Sequence, residues 1–230
     1  GKVTRPAVRV GSFSPETRRE VGYDAVVMLP ATHDTASAVV AAPVEKGGAY
    51  ISSGTWSLLG AERARAITSE AAMRGNWSNE GGAFGGFRFQ KNIMGLWMVQ
   101  QVRHELGEKF LAPDSMLDAI FSEAGNMALG ETAYCIFASL ADCYAESVRE
   151  LEELTGSTSD TLNIIGGGGK NTLLTELTAK ATGKRVLVGP TEGTAAGNVI
   201  MQMAGTGETD GIEGARALIK RSFDITEVRS

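Results

Sequence analysis

Leu162-Asn163-Ile164-Ile165-Gly166-Gly167-Gly168-Gly169-Lys170-Asn171-Thr172-Leu173-Leu174 is the stretch whose reading decides the fold class. Leu162–Ile165 reads as a buried strand, Gly166–Lys170 as a loop, and 171–182 as a helix that Asn171 caps. A strand at Val186–Val188 follows, then helices at 194–205 and 211–220. A strand, helix and strand joined by short connections pair in parallel through a right-handed crossover. Four glycines in a row exceed the needs of a turn, and the free N–H groups entering a helix favour an anionic or polar ligand close to the backbone. Two phosphate fingerprints fail here. GxGxxG begun at Gly166 needs glycine at 171, and GxxxxGK[ST] ending in Gly169-Lys170 needs glycine at 164 and a hydroxyl residue at 171. A plain strand–helix turn is the other reading of the loop.

Upstream, Ala25–Leu29 reads as a strand closed by Pro30, and Thr35–Ala42 as a short helix ending before Pro43. Ala49–Ser52 and Trp56–Ala61 read as two strands joined by Ser53-Gly54-Thr55, with a third at Phe87–Phe89. Met94, Met98, Val102 and Leu106 recur four apart and predict a helix near 91–106; Met94, Trp97 and Met98 are expected in its core face. A shorter helix fits 114–123. A long one fits 131–155, with Glu146–Glu153 as a solvated face. A hairpin region followed by βαβα predicts a mixed α/β sheet flanked by helices, as one domain. Residues 1–22, polar and rich in arginine, are expected to connect.

The 230 residues carry a net charge of −5 with scattered basic residues, which argues against nucleic-acid or anionic-membrane partners. No apolar run approaches the roughly 18 residues of a membrane span. Cys135 and Cys143, eight apart on one helix, would lie about 12 Å from each other, too far for a disulfide. Only two histidines, His33 and His104, accompany them, so a structural zinc site is not expected and no metal ligand is assigned. The cytoplasm is the expected compartment. A start at Gly1-Lys2 without methionine or leader reads as a piece cut from a longer protein, or as a processed chain.

Glycine supplies 29 residues, against a usual share of about 7%, and gathers in clusters beside serine, threonine and asparagine. Ser52-Ser53-Gly54-Thr55 can hold phosphate oxygens, or be an ordinary hairpin tip. At His33-Asp34-Thr35 an extended run becomes a helix; there Asp34 serves either as an N-cap or as a general base. Asn79-Glu80-Gly81-Gly82 suits contact with sugar hydroxyls, or is a turn.

Five strings occur in order: Ala31-Thr32-His33-Asp34-Thr35-Ala36-Ser37-Ala38-Val39, Ser52–Leu58, Asn79-Glu80-Gly81-Gly82, Lys91-Asn92-Ile93-Met94-Gly95-Leu96-Trp97, and Gly166-Gly167-Gly168 with Asn171. Together they resemble the C-terminal, nucleotide-binding lobe of the FGGY carbohydrate kinases, over residues 20–206. The fuller HDTASAV and GTWSL strings favour the family's rhamnulokinase branch over fuculokinases, xylulokinases and glycerol kinases. The resemblance implies an actin-like, ribonuclease-H-like fold and ATP-dependent phosphorylation of L-rhamnulose at O1, with Mg²⁺. Asp34 falls on the family's catalytic base. His33, Asp34, Thr35 and Asn92 fall on sugar contacts, and Thr55, Gln100 and Gly168 on ATP contacts, with the glycine loop against adenosine.

Three departures accompany the resemblance. The N-terminal lobe is absent, which implies a chain inactive alone that pairs with that lobe. The connection at 107–112 is shorter than usual. Gly169 stands where the family sometimes has cysteine. A non-catalytic nucleotide- or sugar-binding lobe, an actin-like scaffold, and a kinase for another sugar such as L-fuculose are the competing expectations.

Overall fold

The computed structural model describes residues 4–45, 47–105 and 127–229. The helix expected at 114–123 and the short connection at 107–112 lie outside the described residues.

The glycine-loop stretch folds as its pattern dictates. Strand β7 (Thr161–Ile165) is wholly buried. It pairs in parallel with β3 (Ala49–Ser53) on one side and β8 (Arg185–Val188) on the other. The crossover to β8 is α6 (Thr172–Thr182), which Asn171 caps by accepting the Leu174 N–H at 2.9 Å. β4 (Trp56–Arg63), β6 (Phe87–Met94) and β5 (Trp77–Gly81) extend the sheet antiparallel beyond β3, and β9 (Thr226–Val228) closes its other edge. The mixed seven-stranded order is β5-β6-β4-β3-β7-β8-β9.

Alternation along the strands fills both faces. One face turns Ile51, Leu59, Phe89 and Ile93 toward Phe137, Leu140 and Tyr144 of the long helix α5 (Met127–Thr155) and toward Leu174 of α6. The other turns Tyr50 and Ile165 toward Ala38 and Val39 of α2 (Asp34–Ala41). The small residues of α2 let it lie close to α7 (Gly193–Thr206) and α8 (Gly211–Ser222), burying Val40, Ile200, Met201 and Ile219 together. The result is three layers: α5 and α6, the sheet, and α2 backed by α7 and α8.

Sequence expectations shift at several places. The helix expected from 91 begins only at Trp97 (α4, Trp97–Glu105), because Lys91–Met94 continue β6 as partners of Leu59 to Trp56. Met94 and Trp97 are each 41% exposed, not core, and sit near Trp56, itself 53% exposed. The Asn79–Gly81 run belongs to β5, which with the short helix α3 (Glu70–Arg74) was not foreseen. The face from Glu146 to Glu153 is only partly solvated: Glu150 holds Lys91 at 2.7 Å and Glu152 holds Lys184 at 2.7 Å. Within the expected connecting run, β1 (Val8–Ser12) pairs with β2 (Val26–Leu29), and α1 (Pro15–Val21) is capped by Ser14.

Both cysteines are free. Among the described residues no helix is long and apolar enough to cross a membrane.

Candidate active site

The parallel register sets Ser52 opposite Ile165, so the serine turn and the glycine loop leave the sheet side by side. They are packed without a gap. Gly166 has φ +91°, and a Cβ there would stand 2.8 Å from the Ser53 carbonyl oxygen. Gly168 is buried, and a Cβ on it would overlap Ser53 Oγ. These two glycines are thus demanded by the fold's own close approach. At Gly167, by contrast, a Cβ would meet nothing within 4 Å, and its backbone is exposed.

Beneath the turn, the Ser57 and Tyr144 hydroxyls share a 2.5 Å hydrogen bond, while the buried Ser53 Oγ finds no partner at hydrogen-bond geometry among the described residues. Burial pushes the Tyr144 phenol up to about 12, against the downward pull of the serine hydroxyls beside it. The turn also fixes α4: Leu96 N–H donates to Gly54 O at 3.0 Å and Trp97 N–H to Thr55 O at 3.1 Å.

The second element is the start of α2. His33, in extended backbone, holds the N-cap position, and Asp34 is the first helical residue. The Thr35 N–H lies 2.6 Å from Asp34 Oδ1 and 3.2 Å from His33 Nδ1. His33 Nδ1 is also 3.0 Å from Asp34 Oδ1, so a protonated Nδ1 donates to the carboxylate and a bare one accepts from Thr35. The Asp34 side chain is 76% exposed, free to meet a ligand. Thr194, at the start of α7, anchors the turn by donating to Asp34 O at 3.3 Å.

These elements enclose a cleft of about 600 Å³, lined among others by His33, Asp34, Thr35, Thr55, Asn92 and Gly166. Five of the seven residues singled out from the sequence therefore share one wall, although Thr35 is largely buried. Gln100, exposed one turn into α4, and Gly168, inside the loop, do not line it. A larger cleft of about 620 Å³, between Glu62, Arg63, Phe84 and Arg216, gathers none of them.

Thr194 lines the cleft without a sequence signal, whereas Glu80 and Trp56 belong to strings already singled out, with no role given to either alone. Glu80 had a signal, since alternation in β5 separates it from its neighbours. The pair Asn79 and Glu80 splits in the structure: Asn79 turns away to bond both the N–H and the C=O of Ile67.

Among the described residues no lysine or arginine lines the cleft; the charged groups there are Asp34 and Glu80, with His33 as a third titratable side chain. Among the described residues no cluster of three His, Cys, Asp or Glu could cage a metal. The two carboxylates, Asp34 and Glu80, are as many as a magnesium ion takes from a protein while keeping most of its waters.

The chain's relatives agree with this architecture. Residues 110–206 match the model of the FGGY family of carbohydrate kinases, C-terminal domain. The chain is 40% identical to the rhamnulokinase of Oceanobacillus iheyensis over 251 residues, covering 96% of this chain and 53% of that one. It is 38% identical to the rhamnulokinase of Bacillus subtilis, covering 97% and 53%. The chain thus spans about half the length of the curated relatives it matches. Among solved structures, gluconate kinase from Lactobacillus acidophilus superposes with a TM-score of 0.76 at 12% identity, over 99% of this chain and 52% of that one. Plasmodium falciparum glycerol kinase with ADP gives 0.68 at 13%, over 94% and 49%. These likenesses carry the fold, the actin-like mixed sheet between helices. The chain is thus similar to the FGGY family of carbohydrate kinases, and its residues 110–206 match that family's C-terminal domain.

Proposed function

We propose that this chain is the C-terminal lobe of an ATP-dependent kinase that phosphorylates L-rhamnulose at O1. The observation that carries the reading is the convergence of Asp34, Asn92, Thr55 and Gly166, from four separate segments, on one cleft. The names of the relatives supply the sugar.

In this reading Asp34 accepts the O1 proton as O1 forms its bond to the γ-phosphorus; the bond to the β–γ bridging oxygen breaks and ADP leaves. Its position suits that role, being an exposed carboxylate fixed by the helix start, with His33 beside it to orient it. His33, Thr35 and Asn92 contact the sugar. Thr55 and the glycine loop approach the nucleotide, the loop through the open backbone of Gly167 with Gly168 holding it onto Ser53, and Gln100, exposed on α4, is the further ATP contact of this reading. Mg²⁺ bound with the nucleotide would supply the positive charge that this wall lacks. The remaining phosphate and sugar contacts, and the exclusion of water, come from an N-terminal lobe closing over the cleft. The exposed Trp56, Met94 and Trp97 are suited to meet that lobe. The 230 residues alone are accordingly inactive, and the protein works in the cytoplasm.

The test is a panel of ketoses offered with Mg-ATP to the two-lobed protein and scored by ADP release. Turnover with L-rhamnulose well above that with L-fuculose and xylulose is expected. Preference for another ketose would replace the sugar, and nucleotide binding without turnover on any would leave only a binding lobe.

A further inference from the structure

Glu80 lies in the Asn79–Gly82 run that the sequence offers as a sugar-hydroxyl contact, and of that run it is the residue that lines the cleft. It stands on the edge strand β5 directly opposite Arg88 of β6, whose Nη2 holds its Oε2 at 2.7 Å. The Arg88 side chain is only 3% exposed, against 36% for Glu80. The guanidinium is fastened on all sides: Nε donates to Gly81 O at 3.3 Å and Nη1 to Gln90 Oε1 at 3.1 Å. Tyr50 Oη donates to the same Gln90 oxygen at 2.9 Å. Tyr50 reaches it because Gly60, lying between them in the register, has no side chain; a Cβ there would stand 2.7 Å from Gln90 Cβ. A polar row, Tyr50–Gln90–Arg88–Glu80, therefore crosses the sheet from its buried centre to the cleft.

A buried guanidinium needs a counter-charge, but that need is met by one carboxylate oxygen. Glu80 Oε1 receives no hydrogen bond among the described residues. The side chain lines the cleft together with Asp34 and Asn92. A sugar offers a ring of hydroxyl donors, and an ionised carboxylate is the strongest acceptor for them.

We propose that Glu80 is a sugar-specificity residue, accepting a hydrogen bond from one acceptor-sugar hydroxyl other than the one phosphorylated. Arg88, Gln90 and Tyr50 are its positioning residues. This rests on the sugar-kinase reading above. Because the row is anchored in the sheet, the carboxylate is preorganised and discriminates by the hydroxyl it expects.

The experiment measures steady-state kinetics of the two-lobed protein and its Glu80→Gln variant on the best sugar of the panel and on its monodeoxy analogues. KM for the sugar should rise on the order of 10- to 100-fold with KM for ATP unchanged. On one deoxy analogue the variant and the parent should be equal, because the contact is already missing. If Glu80→Gln folds poorly for want of a partner to Arg88, the double variant Glu80→Gln, Arg88→Met should regain folding and keep the raised KM. An unchanged KM, or an equal loss on every analogue, would overturn the assignment while leaving the kinase reading intact. Absence of turnover by the parent on every sugar would overturn both.

Discussion

Gly168 and Ser53 are in such close contact that a single methyl on the glycine would occupy the position of the serine hydroxyl. The glycine loop and the serine turn, 115 residues apart in sequence, are thereby one packed unit at the C-terminal edge of two parallel strands. Crevices at such edges are where open α/β sheets bind their ligands.

Gly168→Ala should cost about 1–3 kcal/mol through overpacking. Ser53→Gly should recover much of the loss in the double variant, a coupling that a double-mutant cycle on thermal melting reads directly. Gly167→Val adds its side chain to open space. Melting should stay at the parent's temperature while ATP affinity falls on the order of tenfold by calorimetry. A Gly167→Val protein that binds ATP normally would reduce the loop to a structural turn.

The strand, loop and helix around Gly166 were legible from local pattern, since an apolar run, four glycines and a capping asparagine all point the same way. The reason Gly168 must be glycine was not legible, because the partner that demands it, Ser53, comes from another strand. Lys91–Met94 misled for a different cause. Four-residue spacing of Met94, Met98, Val102 and Leu106 imitates a helix, whereas the alternation of half-buried Lys91, exposed Asn92 and buried Ile93 is set by pairing to β4. The separate site strings were visible, but only the sheet topology shows that Asp34, Thr55, Asn92 and Gly166 share a cleft.

Arg216 ties α8 to the far end of α2: its guanidinium donates to Ala42 O at 3.0 Å and Val39 O at 3.3 Å and pairs with Glu62 at 2.5 Å. Only 13% of the side chain is exposed. Arg216→Ala should cost about 2–4 kcal/mol, since two carbonyls and a carboxylate lose their donor. Urea denaturation checks this, and a loss under about 0.5 kcal/mol, the usual range for ordinary surface changes, would contradict it.

Tyr50 and Tyr144 are both buried, and burial raises both phenols above their ordinary value near 10. The folded protein then holds protons that the unfolded chain releases. Stability is complete below pH about 10 and falls as pH rises through the folded values, about 12 for Tyr144. Denaturation midpoints measured at stepwise higher pH should decline from there. Tyr144→Phe should lose about 1 kcal/mol at neutral pH with the Ser57 hydrogen bond, yet show a shallower alkaline decline. An unchanged slope would place the titration elsewhere.

The proposed function stands or falls with the exposed Asp34 carboxylate at the start of α2 acting as the general base of a sugar kinase. Asn at this position keeps the size and the ability to accept the Thr35 N–H, and removes only the proton acceptor. The direct measurement is ADP release by the two-lobed protein with L-rhamnulose and Mg-ATP, parent against Asp34→Asn, with melting temperatures taken in parallel. Turnover should fall on the order of 10²-fold or more at equal stability, in the range of a lost general base. Turnover within a few-fold of the parent would contradict the assignment.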